Sequence, residues 1–207
     1  MFALVESGTI TQFPKGNKGI TIGDNQYPQT IYTLWTEAER NAIGIYTVEI
    51  DSTNRKDEKF YINTNITYAF GSGKVTGSYG TATAKAIADS LYTSQDKTDG
   101  LIPSDKDVGD VKVQGLKSIY KNQFNAQAAG LLAKTDWYVI KAADVGSYSV
   151  PSNIATYRAA VRTKVNAMET SIDGCANVEA LKTLLSYTTN DAGVTSRPLG
   201  EFPDEVV

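Results

Sequence analysis

The most regular hydrophobic pattern in the chain lies between Pro151 and Gly174, where Ile154, Tyr157, Val161, Val165, Met168 and Ile172 recur at alternating spacings of three and four. That period puts all six on one stripe, so it predicts a long helix with one buried face. Pro151 and Ser152 suit its start and Gly174 its stop, because proline tolerates a first turn, serine caps free amides and glycine ends helices. Upstream, Val113, Leu116, Tyr120, Phe124 and Leu131, with Ala128 in the gap, form a second stripe that closes at Thr135-Asp136-Trp137. The two helices are expected to pack as a hairpin. Trp137 to Ile140 follows as a short apolar segment. Asn177 opens a further helix with Val178, Leu181, Leu184 and Leu185 on its apolar side.

The first half carries shorter, strand-like runs. Phe2–Val5 and Thr9–Phe13 flank Glu6-Ser7-Gly8 as a hairpin, and Ile20–Ile22 with Gln26-Tyr27 make a second around Gly23-Asp24-Asn25. Thr36 and Glu39 have the spacing of a capping box, which predicts a short helix to Ile43 stopped by Gly44, before Ile45–Ile50 returns as a strand. Phe60–Ile62, Thr67–Phe70 and Val75–Tyr79 read as further strands, and the alanine-rich stretch Ala82–Leu91 reads as a helix. The expected fold class is α+β, a strand-rich N-terminal half followed by a helical C-terminal domain built on a long-helix hairpin. Its parts are a small α+β module over 1–55, hairpins and a short helix over 56–92, a loop or linker over 93–110, the helical domain over 111–187 and an extended tail over 188–207.

A helix closing in Leu131-Leu132-Ala133-Lys134-Thr135-Asp136-Trp137, then a short link and Tyr157-Arg158-Ala159-Ala160-Val161-Arg162, resembles the C-terminal region of phage tail-fibre assembly proteins and related phage tail proteins. The opening Met1-Phe2-Ala3-Leu4-Val5-Glu6-Ser7-Gly8-Thr9-Ile10, followed by Ile22-Gly23-Asp24-Asn25-Gln26-Tyr27-Pro28, is similar to the N-terminal module of such proteins. The likeness covers about the first fifty residues and residues 113 to 172, and Val161 stands where leucine is common. These are packing motifs. The resemblance implies a non-enzymatic protein that shields or accompanies a tail fibre through protein contacts, either as an assembly chaperone or as a fibre-associated virion component. The alternative is a structural or adhesin subunit of fibre, baseplate or neck. It further implies work in the host cytoplasm during assembly and, for a retained component, a place in the virion tail. Tail-fibre or other tail proteins are the implied partners, with a homo-oligomer as a further option.

Composition narrows the chemistry. The 207 residues carry a net charge of −3 spread along the chain, which gives no concentrated basic face for nucleic acid. No apolar run approaches the roughly 20 residues of a membrane helix. The N-terminus has no signal-peptide pattern, so secretion is not expected. The single cysteine, Cys175, precludes an internal disulfide. The sequence contains no histidine, which removes the commonest general base and the commonest transition-metal ligand. Together with the motifs below, this predicts no enzymatic activity and no cofactor or metal.

Gly71-Ser72-Gly73-Lys74 looks like part of a phosphate-binding loop, but Tyr68 and Val75 hold the positions where that loop needs glycine and a hydroxyl. A hairpin turn explains the letters better. Asp105, Asp107 and Asp110 suggest calcium, yet Asp110 and Leu116 stand where an EF-hand places glycine and glutamate, which favours a solvated loop. Cys175 reads as a small buried residue, and Arg158 and Arg162, one turn apart, as a solvated face or local ion pairs. The twelve tyrosines suit half-buried strand faces or interfaces. The residues expected to meet a partner are Tyr61, Tyr68 and Tyr79 on the strands and Phe202 in the aperiodic tail.

Overall fold

Short turns with positive φ set the register of the N-terminal strands in the computed structural model, which describes residues 1–206. Strands β1 (Phe2–Glu6) and β2 (Thr9–Gln12) pair antiparallel through Ser7 (φ 50°) and Gly8 (φ 77°), and β3 (Ile20–Ile22) pairs with β4 (Asn25–Tyr27) around Gly23. Two positive φ values in a two-residue loop give the twist that matches paired strands. A short helix α1 (Ile31–Leu34) and then α2 (Glu37–Ala42) follow. Thr36 and Glu39 make the expected reciprocal capping box on α2, which satisfies two of the helix's free amides. Gly44 (φ 83°) then turns the chain into β5 (Ile45–Asp51), and a Cβ there would lie 2.6 Å from the Val5 carbonyl oxygen.

After β6 (Tyr61–Ile62), strands β7 (Ile66–Gly71) and β8 (Lys74–Tyr79) form a hairpin over Ser72 (φ 52°) and Gly73 (φ 75°). Gly71-Ser72-Gly73-Lys74 is therefore a strand turn. Strand β8 pairs in parallel with β5, giving one mixed sheet in the order β2-β1-β5-β8-β7. The strands at its two ends, β2 and β7, also touch, so the sheet curls. One face holds Ala3, Val5, Val48 and Val75 under Ile10, Tyr46, Tyr68 and Phe70. The other face packs Leu4 and Ile45 on Ile20, Ile31 and Tyr32. The first compact unit is Met1–Thr83, longer than the module of 1–55 read from the sequence, because β8 joins the sheet through β5.

The second unit begins at Ala84, the second residue of the two-residue strand β9 (Thr83–Ala84). The helix expected over Ala82–Leu91 does not form. Instead the Ala86 and Ile87 carbonyls accept the amides of Leu116 and Lys117, and Asp89 accepts from the Gly115 amide (2.6 Å) and the Ser118 hydroxyl (2.8 Å). This segment caps the free amides of another helix, which removes the groups it would need for its own ladder. Gly115 is required there, since a Cβ would lie 2.3 Å from Ala88 backbone.

The 93–110 stretch is built into the unit. Strand β10 (Ser90–Leu91) pairs antiparallel with β11 (Val111–Val113), and between them α3 (Ser94–Thr98) is closed by a capping box of Thr93 and Asp96. The Asp96 carboxylate also takes the Lys112 ammonium.

Two long helices then form the unit's core, α4 (Leu116–Ala133) and α6 (Ser152–Asp173), with α5 (Asp136–Asp144) between them. Lys121 pairs with Asp173, Asn125 with Glu169 and Leu132 with Arg158, so α4 and α6 run antiparallel as a hairpin requires, although Val113, read as the first member of the α4 stripe, lies in β11 and is exposed. All six stripe residues of α6 are buried, as are Leu116, Phe124 and Ala128 of α4. The Ser152 side chain makes no cap bond, and Pro151 holds the N-cap position. Helix α7 (Val178–Leu185) is capped by Asn177 and buries Val178 and Leu181. Strands β12 (Thr188–Thr189) and β13 (Thr195–Ser196) lead into the tail.

Candidate functional site

The residues expected to meet a partner are mostly engaged within the protein. Tyr61 is 5% exposed, with Lys56 above its ring, so it cannot offer a contact surface. Tyr68 lies opposite Gly77 in the β7–β8 register and stacks on Phe13 with ring centroids 4.7 Å apart. A Cβ on Gly77 would come within 2.8 Å of the Tyr68 ring and 3.0 Å of Ile50, so the aromatic ring covers the strand at its glycine. Tyr79 is half-buried beneath the Arg55 guanidinium. The three tyrosines were legible as strand residues, but Tyr68 and Tyr79 are half-covered on the curled sheet and Tyr61, on the separate β6–β9 pair, is buried.

The tail folds back on its own unit. Leu199 is buried, its amide donates to the Leu184 carbonyl, and its carbonyl accepts from Lys164 Nζ at 2.8 Å. Arg197 lies over the rings of Phe124 and Tyr187 and pairs with Glu201 at 2.8 Å. Lys134 bonds Glu205, and Phe202 is half-buried among these contacts. The tail gains its order by docking, as its composition requires, and the acceptor is the protein itself.

Arg158 also departs from the expected solvated face. It is 7% exposed, and its guanidinium donates to the Leu132 carbonyl (2.8 Å) and to Thr135 Oγ1 (2.7 Å) while pairing with Asp136 (2.8 Å). Thr135 Oγ1 donates in turn to the Leu132 carbonyl at 3.0 Å. A planar fork of donors can serve a carbonyl, a hydroxyl and a carboxylate at once. The Thr-Asp-Trp corner and the Tyr-Arg of α6, distant in sequence, are thus two halves of one joint. Arg162 stays exposed.

That joint holds α5 by its N-terminal end, and α5 buries none of its residues. Trp137 is 51% exposed and Ile140 67%, one turn apart, with Val139 also open. The Lys141 ammonium lies 5.3 Å from the Trp137 ring centroid and 4.3 Å from that of Tyr148. A nine-residue helix is marginal alone, and this one has only half-buried residues, Tyr138, Lys141 and Ala142, to compensate. Tethering it while leaving its apolar residues in solvent makes α5 the best candidate for a contact surface. Its apolar character is legible along the chain, whereas its exposure depends on the fold.

Reactive chemistry is sparse. Cys175 is buried, burial pushes its thiol above the ordinary range, and Sγ donates to the Ser171 carbonyl. A raised thiol is a poor nucleophile. Among the described residues no group of three or more acidic or cysteine side chains could hold a metal ion, and no helix is long and apolar enough to cross a membrane. Asp89 is held below the usual carboxylate range by the Gly115 amide and then by Ser118, which is a helix-capping role. Compared with known proteins, the chain matches no family model, no curated protein and no solved structure.

Proposed function

We propose that this is a non-enzymatic phage tail protein that acts through protein contacts, as a tail-fibre assembly chaperone or a component that stays with the fibre. The observation that supports the reading is the joint of Leu132, Thr135, Asp136 and Arg158. The motifs that resemble phage tail proteins converge there, and together they tether α5 with Trp137 and Ile140 outward. An exposed tryptophan beside an exposed isoleucine on a fixed helix suits the centre of a protein interface. The partner contact is therefore assigned to α5 rather than to the strand tyrosines or the tail.

Proteomics of purified particles, with co-purification from cells expressing the fibre gene, tests this. Recovery in virions at the copy number of a fibre identifies a retained component, and recovery only with free fibre identifies a chaperone. In either case Ile140→Asp should abolish co-purification while leaving the melting temperature within about 2 °C, since its side chain is solvent-facing. Absence from both particles and fibre complexes would overturn the reading.

A further inference from the structure

The tail over α4, α6 and α7 has two unequal halves. Arg197–Gly200 is a tight turn, in which the Gly200 amide donates to the Arg197 carbonyl at 2.9 Å. It is fixed to the core at Leu199, which is buried and bonded through both its amide and its carbonyl. Gly200, at φ 71°, then turns the chain into residues 201–206, whose backbone makes no hydrogen bond among the described residues. Side chains alone hold this outer half. Glu201 accepts from the Tyr187 hydroxyl at 2.7 Å, Phe202, Pro203 and Val206 are half-buried, and Glu205 pairs with Lys134. Both side chains of that last pair are at least half exposed, so it is a surface ion pair of the kind that is easily opened.

What the pair sits on gives it leverage. Lys134 is the C-cap of α4, and the next two residues, Thr135 and Asp136, are the ones that hold Arg158. Tyr157, directly before Arg158 on α6, is buried, and its hydroxyl has no hydrogen-bond partner. Burial, and then the Glu205 carboxylate, push that phenol above its ordinary range while the Lys134 ammonium opposes them, so the hydroxyl senses both members of the pair. The outer half of the tail thus ends on the two helix segments that make the joint of α5. A nine-residue helix with only half-buried residues owes its order to how firmly its first residues are held.

We propose that residues 201–206 are a releasable clasp on this joint. Closed, with Glu205 on Lys134, the clasp keeps α5 folded and its Trp137 and Ile140 presented; open, it lets α5 fray and the apolar surface disperse. The proposal rests on the assignment of α5 as the contact surface, and it makes presentation of that surface sensitive to charge, because salt screens an exposed pair.

Amide hydrogen exchange of the full chain, measured with no fibre protein present, tests the clasp separately from the co-purification. Local opening is what this measurement reads, and the centre of α6 serves as the reference for opening of the whole unit. Exchange of amides 140–144 should be about two- to fivefold faster in Glu205→Lys and in Lys134→Glu than in the native protein, the change expected on reversing one exposed pair. Both residues are exposed, so these variants fold, and Lys134→Glu combined with Glu205→Lys should restore the native rates. Raising KCl from about 0.1 M to about 1 M should speed α5 exchange in the native protein and not in either single variant. Native α5 rates in both single variants, a double variant that stays fast, salt acceleration that persists in the single variants, or acceleration shared equally by the centre of α6 would each overturn the clasp. None of these results bears on whether α5 meets a fibre, which co-purification decides.

Discussion

Replacing Thr135 by valine tests whether the joint at Arg158 is understood. Threonine and valine have similar shapes, so the change removes a hydroxyl with little loss of packing. Two hydrogen bonds go with it, the one accepted from Arg158 at 2.7 Å and the one donated to the Leu132 carbonyl at 3.0 Å. The second is an ordinary bond worth about 1 kcal/mol, and the carbonyl keeps the Thr135 amide and Arg158. The first is larger, because a buried guanidinium N–H is left without an acceptor, at a cost of about 1.5–3 kcal/mol. The expected total is about 2.5–4 kcal/mol. Asp136→Asn should cost less than about 1 kcal/mol, since that carboxylate is half exposed and its ion pair is screened by solvent. In an Arg158→Met background no stranded charge remains, so Thr135→Val should then cost only about 1 kcal/mol, giving a coupling of about 1.5–3 kcal/mol. Urea unfolding can report this through Trp137 emission in a Trp35→Phe background, since those are the two tryptophans of the chain. Strict additivity, or a Thr135→Val cost below about 0.5 kcal/mol, would refute the reasoning.

Val165→Asp puts an unpaired carboxylate on the buried stripe of α6 and should unfold the second unit, because the penalty of several kcal/mol rivals a total stability of roughly 5–15 kcal/mol; circular dichroism at 25 °C checks it. Asp96 gives a pH signature. The Lys112 ammonium, and next the Thr93 amide, hold its carboxyl down to about 2. A depressed carboxylate contributes stability above its unfolded value of about 3.9, and that contribution is lost as pH falls from there through about 2. Melting temperature should therefore drop across that window in the native protein and drop less steeply in Asp96→Asn.

The helical half was the more legible because its periodicity reports burial directly. Ile154 to Ile172 is one uninterrupted stripe, and burial followed the period at every position. The capping box at Thr36 was equally readable, since it is local chemistry between residues three apart. Ala82–Leu91 misled because alanine content reports helix propensity alone, whereas Ala86, Ile87 and Asp89 are held by the distant start of α4. Asp96 looked like part of a polar linker because its partner, Lys112, lies beyond the loop. Arg158 and Tyr61 failed for a related reason. A residue type common on surfaces is buried here by acceptors or neighbours that no short sequence window contains.

The parallel pairing of β5 with β8 has a practical consequence for handling the protein. A fragment ending near residue 55 would keep both hairpins, both short helices and most of the apolar residues of the first unit, yet β5 would lose its neighbour on one side. Its free N–H and C=O groups, with Val48 and Ile50 between them, would form an open edge able to recruit a second chain. Such a fragment should express as aggregates, whereas one carried through Thr83 supplies β8 in cis and seals that edge with its own backbone.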